Sequence, residues 1–315
     1  MNRNTLSGVA CGATAGALWG LVFLAPELVG TFNPIHMTVG RYLCYGLISL
    51  ALLAPRWSSV VKAVPRQQWL SLGWLAFTGN TLYYILLAGA VQTGGIAMTS
   101  LVIGFLPVAV TIIGSRDHDA VPLRKLLPSL LLCAAGAICI GWQAVAVPSS
   151  DPVALRVTGL LCAIGALVSW TTYAVSNARC LTRLHHISSH DWSLLTGIVT
   201  GAQSLLLIPV AIMLDRTPHG ESEWLRLGAV SIGVAVLASI FGNALWNRMS
   251  RLLPLTLVGQ MILFETLFAL VYGLLWEQRM PTLLETAAFV LVVLSVLSCV
   301  AVHRSHINTA DVSHY

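Results

Sequence analysis

Glu265 is the residue in this chain whose chemistry most needs an explanation. It sits eleven residues into an apolar run, 254–275. At about 1.5 Å of rise per residue, that depth is close to the middle of a hydrocarbon core roughly 30 Å thick. A carboxyl group there costs roughly 2.5–3.5 kcal/mol on insertion scales and normally faces a cavity or a partner. Burial penalises the charged form. A side chain that gains and loses a proton at that depth can therefore carry one across. The plainer reading is a neutral carboxyl hydrogen-bonded between helices, and the sequence favours the proton-carrying one. Arg41 lies seven residues into another apolar run, 34–54. Its charge is permanent and must meet a carboxylate, backbone carbonyls or water. A structural or gating clamp is at least as good a reading for it as contact with a substrate. An Arg41–Glu265 pair is compatible with the sequence without being required by it.

A second group is aromatic and polar. Asn80, Tyr83 and Tyr84 are spaced to share one helix face, and Asn243, Trp246 and Asn247 repeat that spacing. With Trp19, Trp170 and Tyr173 they have the make-up of a small-molecule cavity: aromatic walls and a few hydrogen-bonding groups. The alternative is an aromatic belt at the membrane interface. That alternative is nearly as good for Trp246, beside Arg248, and weaker for Tyr83 with Asn80. Gln260, just before Glu265, is a further candidate for substrate contact. Gly8, Gly12, Gly16 and Gly20 form a ladder that lets another backbone approach, which suits tight packing better than a sliding surface.

Other residues carry less. His185, His186 and His190, and Asp117, His118 and Asp119, read as solvated loop groups without a metal-ligand set. The seven cysteines fall mostly inside apolar runs with no C-x-x-C pair, so they read as small packing residues. There is no H-E-x-x-H, G-x-S-x-G or P-loop sequence. One carboxylate is not a catalytic set, so an intramembrane enzyme is a poor fit, and no nucleotide or other cofactor is called for.

The elements that must position these residues follow from composition. Of 315 residues, 57% are hydrophobic and 9% charged, against about 25% charged in soluble domains. Ten apolar runs are expected to span a bilayer: 7–25, 34–54, 68–89, 95–114, 126–147, 157–177, 192–213, 227–247, 254–275 and 283–302. The first is too long, and lacks the cleavage site, to be a signal peptide. With the N-terminus in the cytoplasm, twelve Lys and Arg flank the inner ends, among them Arg56, Lys62, Arg124 and Lys125. Only Arg156, Arg216, Arg226 and Arg279 flank the outer ones. This is the positive-inside bias, and it puts both termini in the cytoplasm. It also accounts for the net charge of +5 without a nucleic-acid partner. The partners expected are the bilayer and a small-molecule substrate, and a second copy of the chain is allowed.

The chain also repeats itself. Ser7-Gly8, Cys11 and Trp19 match Thr158-Gly159, Cys162 and Trp170 in spacing. Gly79-Asn80-Thr81-Leu82-Tyr83 matches Gly242-Asn243-Ala244-Leu245-Trp246, and Gly114 falls opposite Gly273. The expected fold is therefore an all-α polytopic membrane protein of ten transmembrane helices in two five-helix repeats, 1–147 and 157–302. Residues 148–156 are the linker and 303–315 a polar cytoplasmic tail. Five spans per repeat make the second half enter from the opposite side, so the repeats are inverted, with a site between them near the midplane. Asn80–Tyr84 then belongs to an outer passage and Asn243–Asn247 to an inner one.

Arg41-Tyr42, Trp170-x-x-Tyr173, Phe264-Glu265 and Trp276-Glu277, set in this five-plus-five pattern, resemble the ten-helix EamA-like branch of the drug/metabolite transporter superfamily. The resemblance implies a central cavity walled by most helices, with the fifth and tenth peripheral. It also implies a carrier of amino acids or other small metabolites. Two departures stand out. Glu265 is followed by Thr266 where the family often has proline, and Asp117-His118 stands where a Gly-Glu often closes the fourth span. The function expected is an inner-membrane secondary transporter, exporting a small amphipathic metabolite by alternating access and drawing on a gradient. Uptake or passive facilitation is the alternative.

Overall fold

A computed structural model describes residues 3–29, 32–117, 120–145, 153–184, 187–215, 218–278 and 280–312. The described residues are helical throughout, with no strand among them. The first half holds α1 (Arg3–Gly20), α2 (Ala25–Leu28), α3 (Pro34–Leu53), α4 (Trp57–Ala63) and α5 (Arg66–Ala76), then α6 (Leu82–Ile103), α7 (Leu106–Gly114) and α8 (Leu123–Val145). The second half holds α9 (Val153–Arg183), α10 (Ser189–Leu205), α11 (Ile208–Leu214) and α12 (Glu221–Val234). It continues with α13 (Asn243–Leu252), α14 (Leu255–Met261), α15 (Leu263–Glu277) and α16 (Leu283–Val312).

Six helical stretches are long and apolar enough to cross a membrane, and a seventh is added if α10 and α11, bent by 46° at their joint, form one span. These cover the second, third and sixth to tenth expected runs. The other three lie in helices outside that count. The first run passes from α1 through a 3₁₀ turn, Leu21–Leu24, into α2. The fourth is divided at Gly104-Phe105, ahead of Pro107, whose ring cannot donate to the preceding turn. The fifth is helical over Leu123–Val145, and the linker residues 146–152 lie outside the described set. The loop expected between the third and fourth runs is replaced by continuous helix: α6 contains no proline to interrupt it. The tail expected after Val302 is likewise helical to Val312.

The principal pairings join the two halves. α6 lies on α9, α3 on α10, α8 on α16, α1 on α15 and α7 on α14. Small residues make these approaches close. A Cβ on Gly46 of α3 would fall 2.8 Å from the Cα of Gly201 on α10. The glycine ladder of α1 faces Leu253, then Met249 and Met261, then Phe264 and Glu265, then Phe268 and Ala269. The ladder thus sets the ninth run, and Glu265 with it, directly against the α1 backbone.

Two π-helical segments, Phe77–Thr81 and Ala235–Gly242, precede or include the matched Gly-Asn motifs. A π segment leaves backbone carbonyls for other donors, and such segments concentrate at functional sites. Here the donors come from the opposite half each time. The Trp19 indole donates to the Ala238 carbonyl at 3.0 Å, and the Ser169 hydroxyl to the Thr78 carbonyl at 2.8 Å.

Candidate functional site

Where the π segments cross α1 and α9, three indoles meet. Trp19 and Trp246 have ring centroids 5.1 Å apart, Trp170 and Trp246 5.4 Å, and Trp19 and Trp170 6.2 Å in an edge-on contact. Tyr173 and Tyr83 extend the cluster from Trp170, at 5.9 and 6.4 Å. Tyr84 follows Tyr83 and turns toward Tyr42. The indole N–H of Trp246, which is 1% exposed, has no hydrogen-bond partner. Trp246 is therefore a core residue and not a member of an interfacial belt.

Arg41 closes the other end of this chain of rings. Its guanidinium carbon lies 5.0 Å from the Tyr84 ring centre and 5.3 Å from that of Tyr42, within the range of cation–π attraction. Its Nε donates to Ser239 Oγ in the second π segment at 3.1 Å. Glu265 stands in the first turn of α15, just past the break at Ile262. There its N–H reaches the Ile262 carbonyl, three residues back instead of four. Arg41 and Tyr83 are both close enough to interact electrostatically with its carboxylate. Arg41, Tyr83, Tyr84, the three indoles, Tyr173 and Glu265 thus form one neighbourhood, contributed by both halves.

The remaining candidates sit in hydrogen bonds between helices. Asn80 Nδ2 donates to Thr200 Oγ1 at 3.1 Å, and Asn243 Nδ2 to the Tyr45 hydroxyl at 3.3 Å. Asn247 Oδ1 accepts from Asn177 Nδ2 at 2.8 Å, and Asn177 Oδ1 accepts from the Trp192 indole at 3.0 Å. Gln260 is fully buried, with Nε2 donating to Thr111 Oγ1 at 3.3 Å and Oε1 3.0 Å from Ser295 Oγ. Tyr83 and Trp246 both touch Trp170, so the two matched segments converge on one cluster. Tyr42, Ser239 and Tyr45 were not among the sequence candidates. Tyr42 could have been found from its place beside Arg41, whereas Ser239 and Tyr45 carry no local signal. Among the loop groups, Asp117 pairs with Arg179 at 2.5 Å and His190 is exposed, while His118, Asp119, His185 and His186 lie outside the described residues. Among the described residues no group of three or more His, Cys, Asp or Glu could hold a metal ion.

The description of the EamA-like transporter family matches this chain twice, over residues 6–142 and 157–301. The chain belongs to the EamA-like transporter family. It is 31% identical over 323 residues to the inner membrane protein YtfF of Escherichia coli (strain K12), an alignment covering 98% of this chain and 99% of that one. A chain of known structure, described only as "Crystal structure of protein", superposes with a TM-score of 0.72 over 93% of this chain and 98% of the other. At 20% identity it speaks for the fold alone. The EamA-like chain is thus a multi-pass membrane protein of a transporter family. Its buried aromatic and ionisable residues are read below in that light.

Proposed function

We propose that this chain is a secondary carrier that exports a small amphipathic metabolite, an amino acid or related compound, across the bacterial inner membrane. The observation that carries the reading is the neighbourhood of Arg41 and Glu265. Two opposite charges from different halves lie within electrostatic reach of each other beside a wall of aromatic rings. Such a wall takes an apolar body, the guanidinium takes a carboxylate, and the carboxyl takes an ammonium or a proton.

The architecture proposed is ten spans in two inverted repeats, 1–147 and 157–302, joined by 148–156. Four features support it: the two separate family matches, the paired π segments, the paired breaks at Gly104-Phe105 and Ile262, and the pairing of helices across the halves. Inverted repeats work by rocking one bundle against the other around a central site. No nucleotide motif is present in the sequence, so the work comes from a gradient, with Glu265 as the proton carrier.

Counterflow of labelled amino acids into proteoliposomes, together with metabolite profiling of medium from cells with and without the gene, tests the reading. Exchange of an amphipathic compound that the deletion depletes from the medium is the outcome expected. Accumulation in the medium on deletion would reverse the direction to uptake. Absence of exchange for every compound whose level changes would reject the carrier.

A further inference from the structure

Ser239 carries the one hydroxyl of the second π segment, Ala235–Gly242, whose other residues are apolar or glycine. It is fully buried inside the eighth apolar run, and a buried hydroxyl there needs a partner. The sequence match between the halves does not account for it. In the register that sets Gly79 opposite Gly242, Ser239 falls opposite Ala76. What Ser239 meets is Arg41 of the first half, whose Nε donates to its Oγ at 3.1 Å. A π segment bonds i to i+5 and so turns its residues to a different face of the helix. Here that face brings Ser239 Oγ to Arg41 and the Ala238 carbonyl to Trp19.

This hydrogen bond decides what Arg41 has left to offer. A guanidinium carries its N–H donors in a rigid plane, one on Nε and a pair on each Nη. A carboxylate can dock on the edge shared by Nε and one Nη, or on the end formed by both Nη groups. With Nε given to Ser239, the end-on fork remains. Tyr84 and Tyr42 lie against the guanidinium, with ring centres 5.0 and 5.3 Å from its carbon. Among the described residues neither Nη makes a hydrogen bond, and Arg41 is only partly buried. Glu265 is within electrostatic reach but closes no ion pair with it. The fork is thus held in one orientation, with no protein acceptor on it. We propose that Ser239 is a positioning residue that makes this site select a free carboxylate. It acts through Arg41: tied at Nε, the guanidinium presents both Nη groups together to the two carboxylate oxygens. A carboxamide offers one acceptor and two donors in their place and is refused. The proposal rests on the carrier reading above. It narrows the substrate class to compounds with an unblocked carboxylate beside an ammonium group, the ammonium facing Glu265.

Binding of the common L-amino acids to the purified full-length protein in nanodiscs, each compared with its own carboxamide, tests this by tryptophan fluorescence. The native chain should bind at least one acid about tenfold or more tighter than its amide, the worth of a charge-assisted hydrogen bond. Ser239→Ala should lower that ratio by about three- to tenfold while leaving amide affinity within about twofold, since only the aim of the guanidinium is lost. Ser239→Cys, of similar size but a weak acceptor, should behave the same way and serves where Ser239→Ala fails to fold. Arg41→Lys, which carries carbon where arginine has Nε, should lose the preference for the acid, and Ser239→Ala added to it should change nothing further. A merely structural role would lower acid and amide binding alike. That result, an unchanged ratio, or an equal loss in the Arg41→Lys background would overturn the proposal. Native protein that binds none of the acids would overturn it too, while the counterflow and metabolite profiling described above decide the carrier reading separately.

Discussion

Replacing Glu265 by Gln keeps the side chain's shape and most of its hydrogen bonding but removes its ability to carry a proton. Gradient-driven transport should fall by at least about tenfold, equivalent to roughly 1.4 kcal/mol on a barrier, while counterflow exchange in proteoliposomes survives. The dependence of driven transport on pH should flatten in the same variant. If E265Q is driven as well as the native chain across the pH range, the carboxyl is a packing group. The indoles separate along a different line. Trp19 donates to the Ala238 carbonyl, whereas the Trp246 N–H has no partner. Trp19→Phe loses that hydrogen bond and leaves a buried carbonyl short of a donor, a cost of about 1 kcal/mol. Trp246→Phe loses ring area alone. Thermal unfolding in detergent should therefore give Trp19→Phe the lower midpoint, and the reverse order would mean that the Trp19 hydrogen bond contributes nothing. The sequence singled out Glu265, Arg41 and the aromatic residues because ions and ring faces at membrane depth are expensive or unusual whatever surrounds them. It could not separate Gln260 and Asn247, held between helices, from residues lining a site. That difference lies in partners such as Ser295 and Asn177, far away along the chain.

Helices in this protein are specified as much by what they lack as by what they carry. The glycine ladder was legible as a close-packing face, since four small residues on one side of α1 can serve little else. What it packs against was not legible, and the structure supplies Met261, Phe264 and Glu265. A methyl group on Gly16 would fall 2.6 Å from the Phe264 Cβ and 2.8 Å from the Glu265 nitrogen, mostly backbone that cannot yield. Gly16→Ala should therefore destabilise by about 1–3 kcal/mol and shift Glu265. At Gly273 nothing lies within 4 Å of the added methyl group. Gly273→Ala should be neutral or stabilising by up to about 1 kcal/mol, from helix propensity alone. Unfolding midpoints of the two variants, measured side by side, check the pair, and equal midpoints would mean that α1 does not hold α15 as closely as described. The π segments were illegible beforehand because no residue type marks them. Phe77–Thr81 and Ala235–Gly242 differ in sequence and share chiefly their place at a Gly-Asn pair, which the first contains and at whose glycine the second ends.

For the molecule as a whole, orientation is the property most at issue, because it decides which of the proposed passages is outer. Twelve Lys and Arg against four, divided by which end of the ten expected runs they flank, are the ground on which both termini are proposed to be cytoplasmic. The structure adds a physical constraint. Ser59, on α4, and Ser222, at the start of α12, are both exposed, and they belong to opposite ends of the bundle if α3 and α12 each cross it once. A cysteine at Ser222, in a chain whose seven native cysteines are replaced, should react with a membrane-impermeant thiol reagent in intact cells. A cysteine at Ser59 should react only after the membrane is opened. Labelling at Ser59 with protection at Ser222 would invert the whole assignment. Labelling of both from outside would mean an odd number of crossings fewer or more than proposed between them, and the five-plus-five division would fail. The proposed duplication makes this experiment sharper than a topology test of an irregular protein. In an inverted repeat each position has a counterpart facing the other way, so the counterpart of a labelled site must be protected. Position 222 tests the second half, position 59 the first, and agreement of the two is the relation that the proposed inverted repeat requires.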